Sequence, residues 1–107
     1  MKEIRYSTRF KKDIKRYEHN NEKLKHLFYI VSLLKNEIEL PIKYQPHRLK
    51  GEYVGCMECH IENDLLLIWQ DPNEDVLWLE RLGSHSELFG KKRSYFVASF
   101  SIFHLHP

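Results

Sequence analysis

Three histidines, His47, His60 and His85, fall within one stretch of the chain together with Lys50, Asp64 and Arg81. Imidazole titrates near neutral pH, so one ring can take a proton and another can give one. A carboxylate fixes which ring nitrogen carries its proton, and guanidinium or ammonium groups stabilise an anion. That set suits metal-free cleavage of a phosphodiester. A base removes the proton of a 2′-hydroxyl, an acid protonates the leaving 5′-oxygen, and cations hold the pentavalent phosphate. Phe89, just past His85, offers a ring on which a base can stack. His47, His60, His85 and Asp64 also fit zinc by ligand type, although no HExxH-type spacing is present. The chain carries seven histidines, so unrelated surface residues are a third reading. Spacing alone leaves all three open.

The elements that would position these groups can be read from the pattern. Residues 2–6 predict a short strand, and Ser7 or Thr8 can cap a following helix. In that helix Phe10, Ile14 and Tyr17 fall on one face, surrounded by Arg9, Lys11, Lys12, Lys15 and Arg16. Lys11 and Lys12 are candidate RNA contacts. The turn His19-Asn20-Asn21 leads to a second helix, with Leu24, Leu27, Phe28, Val31, Leu34 and Ile38 at helical spacing and Pro41 as its stop. Three strands follow, over Glu52–Glu62, Leu65–Trp69 and Val76–Leu82, with links short enough for antiparallel hairpins. The expected class is α+β, with an N-terminal strand and a helical hairpin packed on one face of a mostly antiparallel sheet.

Alternation in the first long strand puts Met57, Cys59 and Ile61 on one face and Glu58, His60 and Glu62 on the other. With the helices on the first face, Glu58 and His60 look outward into a groove, where Glu58 is a candidate RNA contact. Cys56 and Cys59 form a CxxC pattern. In a strand they point to opposite faces with Cα atoms about 10 Å apart, too far for a disulfide. Cys59 reads as a small core residue.

Composition bounds the function. The chain has 107 residues, 42% hydrophobic and 30% charged, which suits one compact domain and not a disordered chain. No apolar run reaches the length of a membrane span, and the opening MKEIRYSTRF has no secretion-signal pattern. The expected compartment is the cytoplasm, with no membrane association. Residues 1–50 carry 13 Lys/Arg against 6 Asp/Glu, whereas residues 51–107 carry 4 against 9. A basic half suits a polyanion such as RNA, and solvated lysine-rich helices explain it as well. Residues 90–107 read as a C-terminal extension of unassigned structure, with a basic break at Gly90-Lys91-Lys92-Arg93 and an apolar run from Tyr95 to Leu105.

Three blocks stand in order: His47-Arg48-Leu49-Lys50-Gly51, Glu58-Cys59-His60-Ile61-Glu62-Asn63-Asp64, and Arg81-Leu82-Gly83-Ser84-His85-Ser86-Glu87-Leu88-Phe89. Together with the opening RYSTRFKKDIKR they resemble the YafQ branch of the RelE/ParE toxin superfamily, over a domain of residues 1–89. The resemblance implies a RelE-like fold and a type II toxin. Such a toxin is a ribosome-dependent, metal-independent endoribonuclease that cuts mRNA in the A site by 2′-OH attack and needs no cofactor. It implies His47, His60, Asp64, His85, Phe89 and Arg81 as catalytic positions, with His85 as general acid and His60, tuned by Asp64, as base or charge stabiliser. His47 could fill either role. Lys50, Arg48, Glu58, Lys11 and Lys12 would meet RNA. Leu65 stands where this branch often has Trp. The implied partners are a DinJ/RelB-like ribbon-helix-helix antitoxin, the ribosome with its mRNA, and operator DNA only through the antitoxin complex. The alternatives are a ParE-like inhibitor of gyrase and an inactive toxin serving as co-repressor.

Overall fold

The computed structural model describes residues 1–73 and 75–90. The expected C-terminal extension therefore lies, beyond Gly90, outside the described residues. The elements are β1 (Glu3–Tyr6), α1 (Thr8–Lys15), α2 (Asn21–Lys35), β2 (His47–Arg48), β3 (Met57–Glu62), β4 (Leu65–Gln70), β5 (Val76–Gly83) and α3 (His85–Phe89). Ser7 caps α1 by accepting from the Phe10 amide at 2.9 Å, and Asn20 caps α2 by accepting from Lys23 N at 3.1 Å.

The sheet order is β1-β5-β4-β3-β2. β2 to β5 are antiparallel neighbours, whereas β1 pairs β5 in parallel. A parallel pair needs a crossover, which the two helices begin. The class is thus the α+β one expected, with a mixed sheet. Phe10, Leu27, Ile30 and Val31 pack on Cys59, Leu65, Leu67, Trp69, Leu77 and Leu79 on one face. Leu49, Tyr53, Cys56, Leu66, Ile68, Leu88 and Phe89 form a second, smaller cluster. Cys56 and Cys59 are buried free thiols in different clusters. Burial pushes the Cys59 thiol up to about 12, which removes it as a nucleophile.

Several boundaries differ from the sequence reading. Residues 51–53 form a single 3₁₀ turn and β3 begins only at Met57, so the strand expected from Glu52 is half as long. α2 ends at Lys35, before Pro41, where Glu37 turns into the left-handed region at φ 59°. Phe28 and Ile38 are 57% and 52% exposed, and Ile30 takes the buried place instead. The apolar residues of α2 satisfy two overlapping stripes, and packing against the sheet selects one. A bulge between His60 and Glu62 turns Glu62 off the expected face. Its carboxylate meets α2, accepting from Lys23 Nζ at 2.6 Å and pairing with His26 Nδ1 at 2.6 Å.

Candidate active site

The sheet register sets the site. His47, Glu58, Ile68 and Arg81 are successive partners across β2, β3, β4 and β5, and His60, Leu66 and Gly83 form the next row. These rows face away from α1 and α2, on the side of the smaller cluster. After Gly83 the chain turns into α3, which lies across that side. A Cβ on Gly83 would stand 2.8 Å from Glu87 Oε1 and 3.2 Å from Leu88 Cδ2, so a side chain there would displace the Glu87 and Leu88 side chains of α3. Ser84 and Glu87 close a capping box at its start.

That turn delivers His85 to Asp64. The Asp64 residue sits in the β3–β4 turn at φ 47°, a conformation that Asp tolerates better than most residues. Its Oδ1 accepts the His85 backbone amide at 2.9 Å and lies 2.6 Å from His85 Nδ1. A carboxylate only accepts when ionised, so Nδ1 carries the proton and Nε2 is left for proton transfer. The rings then follow one another. His47 and His60 are 6.2 Å apart by centroid, His60 and His85 5.9 Å, and His85 and Phe89 6.4 Å. His47, His60, Asp64, His85 and Phe89 are therefore brought together, and the histidines are not scattered surface residues.

His47 is hydrogen-bonded through Nδ1 and has a carboxylate near Nε2. Nδ1 donates to the Gln45 carbonyl at 2.7 Å, and Nε2 lies 3.1 Å from Glu58 Oε1. Burial pulls the His47 pKa down, but the Glu58 carboxylate and the Gln45 carbonyl outweigh it and hold it above its ordinary value. Glu58 is fully buried, at 0% exposure. The RNA contact expected of Glu58 is therefore closed off: its carboxylate is buried and faces His47 instead.

Arg81 does not stand free either. Past Leu79 the outer edge of β5 runs on beyond its partner β1, and α1 lies along it. Asp13, 1% exposed, offers its carboxylate to that edge: Oδ2 accepts Leu82 N at 2.9 Å and Arg81 Nε at 2.8 Å, and Oδ1 accepts Arg81 Nη2 at 3.1 Å. Arg16 Nη1 adds a fourth contact at 3.0 Å. Burial pushes the Asp13 carboxyl up, but the Arg81 fork, the Leu82 amide and Arg16 overcome it and hold the pKa below its ordinary value. Arg81 Nη1 also donates to the Tyr53 hydroxyl at 2.9 Å. The expected phosphate holder is thus a guanidinium tied from behind, with spare N–H groups on Nη1 and Nη2.

The other expected RNA contacts divide. Lys50 is exposed two residues past the end of β2. Arg48 is paired with Met57, whose side chain packs with the helix-side core, so alternation turns it away from His47. Lys11 lines an apolar groove with Tyr6, Phe28 and Leu79 on the helix side, and Lys12 is exposed on α1. Neither belongs to the imidazole group. Leu65, where Trp was the alternative, is 2% exposed in the main core. Asp13, Tyr53 and Arg9 were not foreseen. Asp13 could have been: it is an acidic residue on the same helical face as Phe10 and Tyr17.

A family model described as the bacterial YafQ toxin of type II toxin–antitoxin systems matches residues 2–90. The chain belongs to the YafQ toxin family. Among curated proteins it is 34% identical to the mRNA interferase toxin YafQ of Escherichia coli K12, over 83% of this chain and 97% of that one. Among solved structures it is similar to a metal-bound toxin from Helicobacter pylori, with TM-score 0.74 and 46% identity over 83% of this chain and all of the other. It is equally similar in fold to E. coli YafQ in its complex with DinJ, at TM-score 0.73 and 34% identity over 83% and 98% of the two chains. No three His, Cys, Asp or Glu side chains among the described residues are arranged to hold a metal ion. No helix among those residues is long and apolar enough to cross a membrane.

Proposed function

We propose that this YafQ-family toxin is an endoribonuclease that cuts mRNA in the ribosomal A site by general acid–base catalysis, without a metal ion. The observation that carries the reading is the run of three imidazoles at 6.2 and 5.9 Å, with His85 oriented by Asp64. In the reaction a 2′-oxygen attacks the adjacent phosphorus. The P–O2′ bond forms and the P–O5′ bond breaks, giving a 2′,3′-cyclic phosphate and a 5′-hydroxyl end. His85 Nε2 gives its proton to the departing O5′. His60 takes the proton from the 2′-hydroxyl. His47, charged beside Glu58, stabilises the pentavalent phosphate together with Arg81 and Lys50, and Phe89 stacks on a base.

The toxin acts in a pair. By likeness to the YafQ–DinJ complex, a DinJ/RelB-like ribbon-helix-helix antitoxin binds this chain, lays a helix or strand over its basic surface and carries the pair to operator DNA. The compartment is the cytoplasm, where ribosomes and mRNA are. The test is expression of the toxin followed by mapping of transcript ends. New ends bearing 2′,3′-cyclic phosphates are expected only in translated frames. Uncut transcripts with inhibited supercoiling would favour the gyrase reading. Uncut transcripts with retained antitoxin binding would favour the co-repressor.

A further inference from the structure

The Tyr53 hydroxyl, which accepts from Arg81, still carries a proton of its own. The Tyr53 ring is buried in the smaller cluster and meets Phe89 edge-on at 5.9 Å. Its hydroxyl oxygen accepts from Arg81 Nη1 at 2.9 Å and from Arg9 Nη1 at 3.5 Å. A guanidinium has donors only. Both contacts therefore use the phenol's lone pairs and leave its own proton without an acceptor among the described residues. The nearby carboxylates are turned elsewhere. Asp13 is occupied by Arg81, Arg16 and the Leu82 amide, and Glu87 by Tyr17 and the Ser84 amide. Arg9 is exposed and has no ion pair among the described residues. One phenolic O–H, the spare N–H groups of Arg81 and the open fork of Arg9 thus converge where no acceptor stands, an arrangement that suits an anion with several oxygens.

We propose that Arg9 and Tyr53 form, with Arg81, a phosphate subsite that holds the RNA strand beside the cut. The subsite rests on the nuclease reading, since it binds the strand which that reading cleaves. Its place follows from Phe89, whose ring touches Tyr53 on one side and approaches His85 to 6.4 Å on the other. A backbone that places its scissile phosphate at His85 and a base on Phe89 brings a neighbouring phosphate to Tyr53. Arg9 supplies charge and reach, and Tyr53 supplies a short neutral donor whose position Arg81 and Asp13 fix.

The test is fluorescence anisotropy with a labelled, fully 2′-O-methylated oligoribonucleotide, which the protein can bind but cannot cut, over a salt series. Arg9→Ala should weaken binding about tenfold and lower the slope of log K against log salt by about 0.7, one phosphate contact on a single strand. Arg9→Lys should restore the slope. Tyr53→Phe should weaken binding about threefold or more with the slope unchanged, because it removes a neutral donor. Thermal melting of the Arg9 variants within a few degrees of wild type would show an intact fold. Wild-type affinity and slope in Arg9→Ala would overturn the subsite. Cleavage of translated mRNA by the wild-type toxin is measured alongside. If the wild type binds and cuts while Arg9→Ala binds normally, the subsite alone fails. If the wild type binds but never cuts, the nuclease reading fails and the binding data still judge the subsite.

Discussion

The face of the sheet beneath α1 and α2 buries Cys59, Leu65, Leu67, Trp69, Leu77 and Leu79 against apolar helix residues. The opposite face sets His47, Glu58, His60 and Arg81 around the smaller cluster of Leu66, Ile68, Leu88 and Phe89. Both faces come from the same strands by alternation, so each strand contributes to the main core with one set of side chains and presents the histidine side with the other. The large apolar face can carry the cost of Glu58 and Asp13, buried carboxylates that a chain of this size would otherwise avoid. The comparison implies a separation: changes on the helix side should alter stability, and changes on the histidine side should alter rate.

The largest loss of stability should come from the helix side. Leu67, fully buried at the sheet centre, should lose about 2–5 kcal/mol as Leu67→Ala in chemical unfolding, with catalysis per folded molecule unchanged. Asp13 sits where the two faces meet, and Asp13→Ala breaks the separation. It leaves Arg81 and the Leu82 amide without their acceptor and should cost about 3 kcal/mol as well as activity. The pH dependence carries the same mark. Because the folded carboxyl is held below its ordinary value of 3.8, its contribution is present above that pH and disappears as pH falls through the lowered native value. Acid titration of Asp13→Asn should lack this component.

Glu58→Gln sharpens the comparison within the histidine side. It removes the main influence holding the His47 pKa up, so the His47 ring signal should titrate at lower pH by NMR, and cleavage should fall about tenfold. The sign follows from the raised pKa. The pair's stabilisation is fully present below the ordinary 6.5 and fades as pH rises through the higher native value. An unmoved His47 titration would refute the pairing. The smallest effect is expected of Lys12→Ala, on the far side of α1. Its cleavage rate should stay within about twofold of wild type, as for surface residues away from a site.

The sequence displayed one face better than the other. Alternation along Met57–Glu62 separates Cys59 from His60 without any structure, and the GSHSELF run carries a capping box that places His85 at a helix start. The helix-side core was legible except in α2, where Ile30 and Phe28 satisfy helical spacing equally and only packing decides. What could not be read were contacts made across the register. Glu58 pairs with His47 on a two-residue strand too short to show a pattern, and a bulge of one residue reverses Glu62. Asp13 meets Leu82 and Arg81 across the open edge of β5, a pairing between residues 68 and 69 positions apart. Such contacts depend on where β1 stops, which composition does not encode.

The proposed function turns on proton transfer by His85 at a ribosome-bound mRNA. The direct measurement is single-turnover cleavage of a programmed, stalled ribosome by wild-type and His85→Ala toxin at saturating enzyme, across pH. A loss of about 10²–10⁴-fold in the chemical step is expected for removal of a general acid, together with loss of the limb of the wild-type pH profile that reports it. Cleavage at the wild-type rate by His85→Ala, with an unchanged profile, would contradict the account.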